Sequence, residues 1–178
     1  MHYVDGIFVI VFCVFLLFGF RGGIIRGVVA VLSLVVGLVL ATRSMHRLGE
    51  MLTGMWDVHE VVGAVLAFAI VFMGIVIAQI LVVVLLGRRS DPPRLSSRLF
   101  GALLGVIEGA IYLSVILIIL NLYSIPSAEV RNQSLLYRPV RNFAPFVFDS
   151  ANYFFAGSTS FYDELKRSFE KLRIAPLD

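Results

Sequence analysis

The stretch of this chain richest in chemistry runs Arg98-Leu-Phe-Gly101-Ala-Leu-Leu-Gly105-Val-Ile-Glu108-Gly109, and Glu108 is its lone carboxylate. No charged residue follows until Glu129. A carboxylate inside an apolar helix serves buried ion pairs or polar transport paths. Inserting a charged side chain at mid-bilayer costs about 2.5–3.5 kcal/mol, so it is normally paired or functional. Gly101, Gly105 and Gly109 recur every fourth residue, which on a helix makes one smooth stripe. Small residues at that spacing let helix backbones approach closely in membranes. The combination predicts an intramembrane helix contact rather than an enzyme pocket. Candidate partners for the stripe are Ser33, Gly37 and Ala41, or Gly63 with Ala67, or Gly74 with Ala78. Whether the contact lies within one chain or between copies stays open. If the last span starts at Leu99, Glu108 lies near mid-bilayer; if it starts at Gly109, Glu108 is an ordinary interfacial acid. Gln79, Tyr112 and Asn121 are the other polar groups within apolar stretches, expected to be hydrogen-bonded inside a bundle.

Other chemistries find no support. His2, His46 and His59 stand at the N-terminus or in one inter-span segment, without neighbouring cysteines or an HExxH spacing, so no metal site is expected. There is no phosphate loop, GxSxG elbow or pair of intramembrane aspartates. Cys13 lies in an apolar run and reads as a packing residue, and Asp5 as a helix-start residue. The expectation is a non-enzyme without a cofactor.

The elements that must hold these residues follow from composition. Of 178 residues, 59% are hydrophobic and only 15% charged, with a mean hydropathy of +0.93. Soluble domains carry about 25% charged residues, so the excess apolar surface needs lipid. The net charge of +3 and pI near 9.3 come from arginines scattered in loops and tail, which set topology rather than bind nucleic acid. The first apolar run is preceded by Asp5 and no Lys or Arg, unlike a signal peptide. Charge-free intervals predict an all-α, polytopic transmembrane bundle in residues 1–123, with spans at about 4–21, 24–42, 61–86 and 99–123. The first two are short. Either flanking arginines snorkel so that both cross, or the hairpin is re-entrant. Gly22-Gly23 between them permits a sharp turn. The segment from Arg43 to Glu60 reads as a loop with Trp56 as an interfacial anchor. Residues 124–178 read as a juxtamembrane segment broken by Pro126, Pro139 and Pro145. That segment ends in an amphipathic helix over 160–173, lined by Phe161, Leu165, Phe169 and Leu172. Arg21, Arg26, Arg88, Arg89, Arg94 and Arg98 fall in short loops on one face, which the positive-inside rule places in the cytoplasm with both termini outside.

The order of these features resembles the colicin V production protein family of bacterial inner-membrane proteins. The resemblance rests on Asp5, on Arg21-Gly22, on the stretch Arg98 to Gly109, and on Asn132-Gln-Ser134-Leu-Leu, over roughly residues 3–146. It implies a multi-pass inner-membrane protein for colicin V production or export or envelope homeostasis, non-enzymatic, whose surroundings are the bilayer and a second copy or another envelope protein. A transporter or channel subunit lined by Glu108, Gln79 and Asn121 is the alternative, as is an anchor whose tail binds a partner. Three positions depart from the family pattern: Ser97 replaces an aspartate, Arg26 (or Gly27) a glutamate, and Glu108 a basic residue. The last two look like a charge swap, which leads to the expectation of an intramembrane ion pair between Arg26 and Glu108.

Overall fold

The computed structural model describes residues 3–56, 59–87, 93–122 and 125–154. Among them there is no strand. The order is α1 (Tyr3–Trp56), α2 (Glu60–Gly87), α3 (Leu95–Leu122), α4 (Ala128–Gln133), α5 (Tyr137–Arg141) and α6 (Phe143–Phe154). Backbone groups in lipid must be satisfied within the segment, and a helix does this for every interior residue. The amphipathic helix expected over 160–173 lies outside the described residues.

α1 leaves helical geometry at one residue. Gly23 has φ 70° and ψ −175°, a region open essentially to glycine alone. The contacts on either side show how sharp the break is. Ahead of it the chain runs antiparallel to α3: Gly19 faces Gly101 and Gly105, and Phe15 faces Gly105 and Gly109. Beyond it the direction flips, with Ile24 meeting Ser97 and Gly27 meeting Leu104. Arg26 Nη1 also donates to the Phe18 carbonyl, eight residues back. A straight helix would hold those residues about 12 Å apart. The chain has therefore reversed at Gly23, and α1 is two arms. The arm over 3–22 is about 30 Å long at 1.5 Å per residue.

The chain divides into two compact units. The first joins Met1–Leu34 to Ala78–Ala144. Its apolar core is Val4, Phe8, Leu113, Leu117, Tyr137 and Val140. The second joins Val35–Ile77 to Pro145–Asp178. Here the second arm of α1 packs antiparallel on α2, with Gly37 against Ile75, Gly49 against Ala64 and Gly63 against Thr53.

The segment from Arg43 onward, expected as a loop, is helical as far as Trp56. The reason is a change of pattern rather than of structure. Ala41, Met45 and Gly49 keep a buried i, i+4 face while Arg43, Arg47 and Glu50 are exposed. Charge-free intervals measure where apolar sequence ends, and this helix continues past that point. The three prolines after α3 split residues 128–154 into three short helices, Pro139 and Pro145 each standing in a first turn, where a missing N–H does no harm.

Candidate functional site

The glycine stripe of α3 forms a seam with the first arm of α1. A Cβ on Gly101 would run into the Gly19 carbonyl oxygen and come within 2.6 Å of the Gly23 carbonyl carbon. One on Gly105 would strike the Phe15 carbonyl oxygen, and one on Gly109 would lie 3.0 Å from Phe15 Cγ. The partners are thus Phe15, Gly19 and Gly23, none of them among the small residues that sequence spacing nominated. The sequence marked one half of the seam; the other half carried a repeat of the same spacing, Gly19, Gly23 and Gly27, which was passed over.

Motif residues gather at the reversal. Ile24 N–H, the first amide of the second arm, donates to Ser97 Oγ at 3.1 Å. A new helix start leaves its first amides without partners, and Ser97 supplies one acceptor from another helix. Arg98 Nε donates to Pro93 O at 2.9 Å, and its guanidinium carbon lies 5.9 Å from the Phe20 ring centroid. Arg21 is exposed, while Gly22 leaves room for the Arg26 stem to lie across it.

Glu108 stands at mid-length of α3, 4% exposed, so the helix starts well before Gly109. Its Oε1 accepts a hydrogen bond from Gln79 Nε2 at 3.0 Å. Arg26 is near enough for its charge to act on Glu108, but no ion pair of 4.0 Å or less joins them. The arginine is instead turned onto the Phe18 carbonyl and ring. Tyr112, one turn along α3, is stacked obliquely on Phe15. Asn121 is not part of this group. It lies about 20 Å further along α3 and accepts from Arg131 Nη1.

At the other end of the first arm, Asp5 is 2% exposed. Its Oδ1 accepts from Ser134 Oγ at 2.6 Å and from Leu136 N–H at 3.2 Å. Ser134 Oγ in turn accepts from Tyr137 N–H at 3.1 Å. A residue that reads as a helix start is therefore the anchor of a segment 129 positions away in the sequence. Ser114 does similar work lower on α3: its Oγ donates to Arg141 O at 2.6 Å and accepts from Ala144 N–H at 2.8 Å. Sequence reasoning passed over Ser114, whose only signal was a hydroxyl in an apolar run.

The clasp joins two residues, Asp5 and Ser134, that the resemblance had singled out separately. The model of the colicin V production protein family matches residues 4–145. The chain belongs to that family. No curated protein and no solved structure matches it. The matched segment of this colicin V production family member opens beside Asp5 and closes just past Ser134, so the clasp ties its two ends together. Among the described residues, three helices are long and apolar enough to cross a membrane. Large side chains such as Ile70, Ile77, Leu81 and Leu85 on α2 are exposed. The family and this surface together describe a membrane protein.

Proposed function

We propose that the chain is a four-span protein of the bacterial inner membrane that serves colicin V production or export as a non-catalytic scaffold. The observation that carries this is the reversal at Gly23, because it turns α1 into two arms of membrane-spanning length. With α2 and α3 they make four crossings, the Gly23 turn and the segment between α2 and α3 falling on one face. The arginine-rich sequence there assigns that face to the cytoplasm. A non-catalytic role is supported by how the buried polar side chains are used: Asp5, Ser114 and Ser134 hold elements to one another. The surroundings this reading requires are lipid and another envelope protein or a second copy.

The test is complementation. A colicin V-producing bacterium deleted for its own family member receives this chain, and toxin release is scored as killing of a sensitive lawn. Restoration is expected, and its loss on Gly101→Leu. Cysteine labelling of positions 22, 57 and 90 from either side of the membrane checks the topology, positions 22 and 90 sharing one side and 57 the other. A membrane-inserted chain that restores no toxin release would refute the role.

A further inference from the structure

Two deficits lie side by side at mid-length of α3. Glu108 is 4% exposed within an apolar helix, accepts a hydrogen bond from Gln79 Nε2 and has no ion pair within 4.0 Å among the described residues. Gln79 is equally enclosed at 4%, and its Oε1 has no hydrogen-bond partner among the described residues. A carboxylate taken out of water needs a counter-charge in contact with it. A buried amide oxygen without a donor forfeits roughly 1–3 kcal/mol. One proton answers both needs. Placed on Glu108 Oε2, it gives the acid an O–H that donates to Gln79 Oε1 while Nε2 continues to donate to Glu108 Oε1. The two side chains then form a neutral two-point pair with every polar atom used.

We propose that Glu108 and Gln79 form a proton-binding site inside the membrane-spanning bundle. The proposal rests on the membrane reading above and adds the ligand to it. Arg26, from the second arm of α1, is the cation whose charge reaches Glu108, and Tyr112 on α3 is the other ionisable neighbour. With the proton bound, Arg26 is held by the Phe18 carbonyl and lies over the Phe18 ring, 5.8 Å from its centroid. When the proton leaves to water, the carboxylate keeps the bonding electrons. The guanidinium then turns from the Phe18 carbonyl onto Glu108 and replaces the proton as counter-charge. The hydrogen bond from Glu108 Oε2 to Gln79 Oε1 is lost with the proton, the one from Gln79 Nε2 to Glu108 Oε1 stays, and no other covalent bond forms or breaks. A metal cation is the poorer occupant. Calcium takes about six to eight oxygen ligands, where Glu108 and Gln79 offer three, and the permanent charge of Arg26 repels it. Proton exchange thereby moves an arginine three residues beyond the Gly23 reversal, which gives the bundle a means of responding to a proton gradient.

Infrared spectroscopy of the full chain in phosphatidylcholine vesicles tests this. The expected result is a protonated-carboxyl carbonyl band that appears reversibly as bulk pH is lowered and shifts with ¹³C-labelled glutamate. It should be absent from Glu108→Gln. In Gln79→Leu, which keeps the acid and removes its partner, the band should move to higher frequency. In Arg26→Gln, which removes the competing counter-charge, it should persist to higher pH. A wild-type band indifferent to pH, or identical in Glu108→Gln, overturns the proposal even if neither variant perturbs the fold. Flotation of the vesicles separates the two readings. A chain that floats without the band sinks the proton site alone, and one that does not float sinks the membrane reading with it.

Discussion

The two compact units use the same residue types in opposite ways. In the unit built on α3, hydroxyls reach across elements: Ser97 to Ile24, Ser114 to Arg141 and Ala144, Ser134 to Asp5. In the unit built on α2, Thr42 Oγ1 donates to Leu38 O and Thr53 Oγ1 to Gly49 O, each four residues back on its own helix. Glycines divide less sharply. Along α3 the stripe meets backbone atoms of α1 at Gly101 and Gly105; in the other unit Gly49 and the Ala64 backbone also approach closely near the start of α2, but at mid-length the Gly37 contact is only the Ile75 side chain. The apolar window of α3 is 50% buried and that of α2 only 17%. Lipid is as apolar as leucine, so hydrophobicity alone does not bring two membrane helices together. Close backbone approach and cross-element hydrogen bonds must, and the α3 unit has both. We read it as the fixed part of the protein and α2 as the part that faces lipid.

The largest effects should come from breaking the seam. Alanine in place of glycine normally stabilises a helix interior by about 1 kcal/mol. At Gly101 and Gly105 the added methyl meets backbone that no rotamer change can move, so Gly101→Ala and Gly105→Ala should exceed the usual overpacking cost of about 1–3 kcal/mol. Both should collapse the yield of monodisperse protein in detergent. Gly74, where an added methyl would meet nothing within 4 Å, should show the opposite sign, Gly74→Ala raising thermal stability slightly. If all three behave alike, the distinction between the units fails.

The next largest effect belongs to the clasp. Asp5→Ala leaves Ser134 Oγ and the Leu136 amide short of an acceptor, and hydrogen bonds to a charged group contribute about 1.5–3 kcal/mol each. Ser134→Ala removes one donor to Asp5 and the acceptor of the Tyr137 amide, a neutral hydrogen bond, while the Leu136 amide still reaches Asp5, so it should cost somewhat less. Thermal melts in detergent should rank Asp5→Ala below Ser134→Ala below wild type; equal melts would mean the clasp contributes nothing. At the reversal, Ser97→Ala should cost about 1 kcal/mol, the usual value of a lost N-terminal cap. Ser97→Asp should preserve it, since a carboxylate can accept the same Ile24 amide.

The long apolar helices, the break at Gly22-Gly23 and the packing stripe at Gly101, Gly105 and Gly109 were legible because composition and local periodicity encode them. Two things were not. The helical stretch from Arg43 to Trp56 was hidden because charge marks solvent exposure and not helix ends. The partner of the stripe, although Gly19, Gly23 and Gly27 repeat at the same spacing, was missed because its use depends on register: Phe15 and Gly19 form half a seam only when the chain folds back at Gly23. For the same reason the ion pair expected from the charge swap is not made: Arg26 is turned onto the Phe18 carbonyl, which the reversal at Gly23 brings within its reach. Asp5 and Ser134 were recognisable separately, and only the fold joins them.

The smallest effect should come from the exposed face of the second arm of α1, and it sharpens the comparison from the other side. His46 Nε2 lies 3.4 Å from Glu50 Oε1 with the side chains 31% and 61% exposed. Such a pair one turn apart on a helix contributes about 0.3–0.5 kcal/mol and is screened by salt. Glu50→Gln should therefore leave the melt and the toxin-release complementation unchanged within error, at low and high ionic strength alike. A large loss of complementation with an unchanged melt would have one meaning. That face would then be covered by a partner in the membrane, and the α2 unit would be the docking part of the protein rather than merely the part that meets lipid.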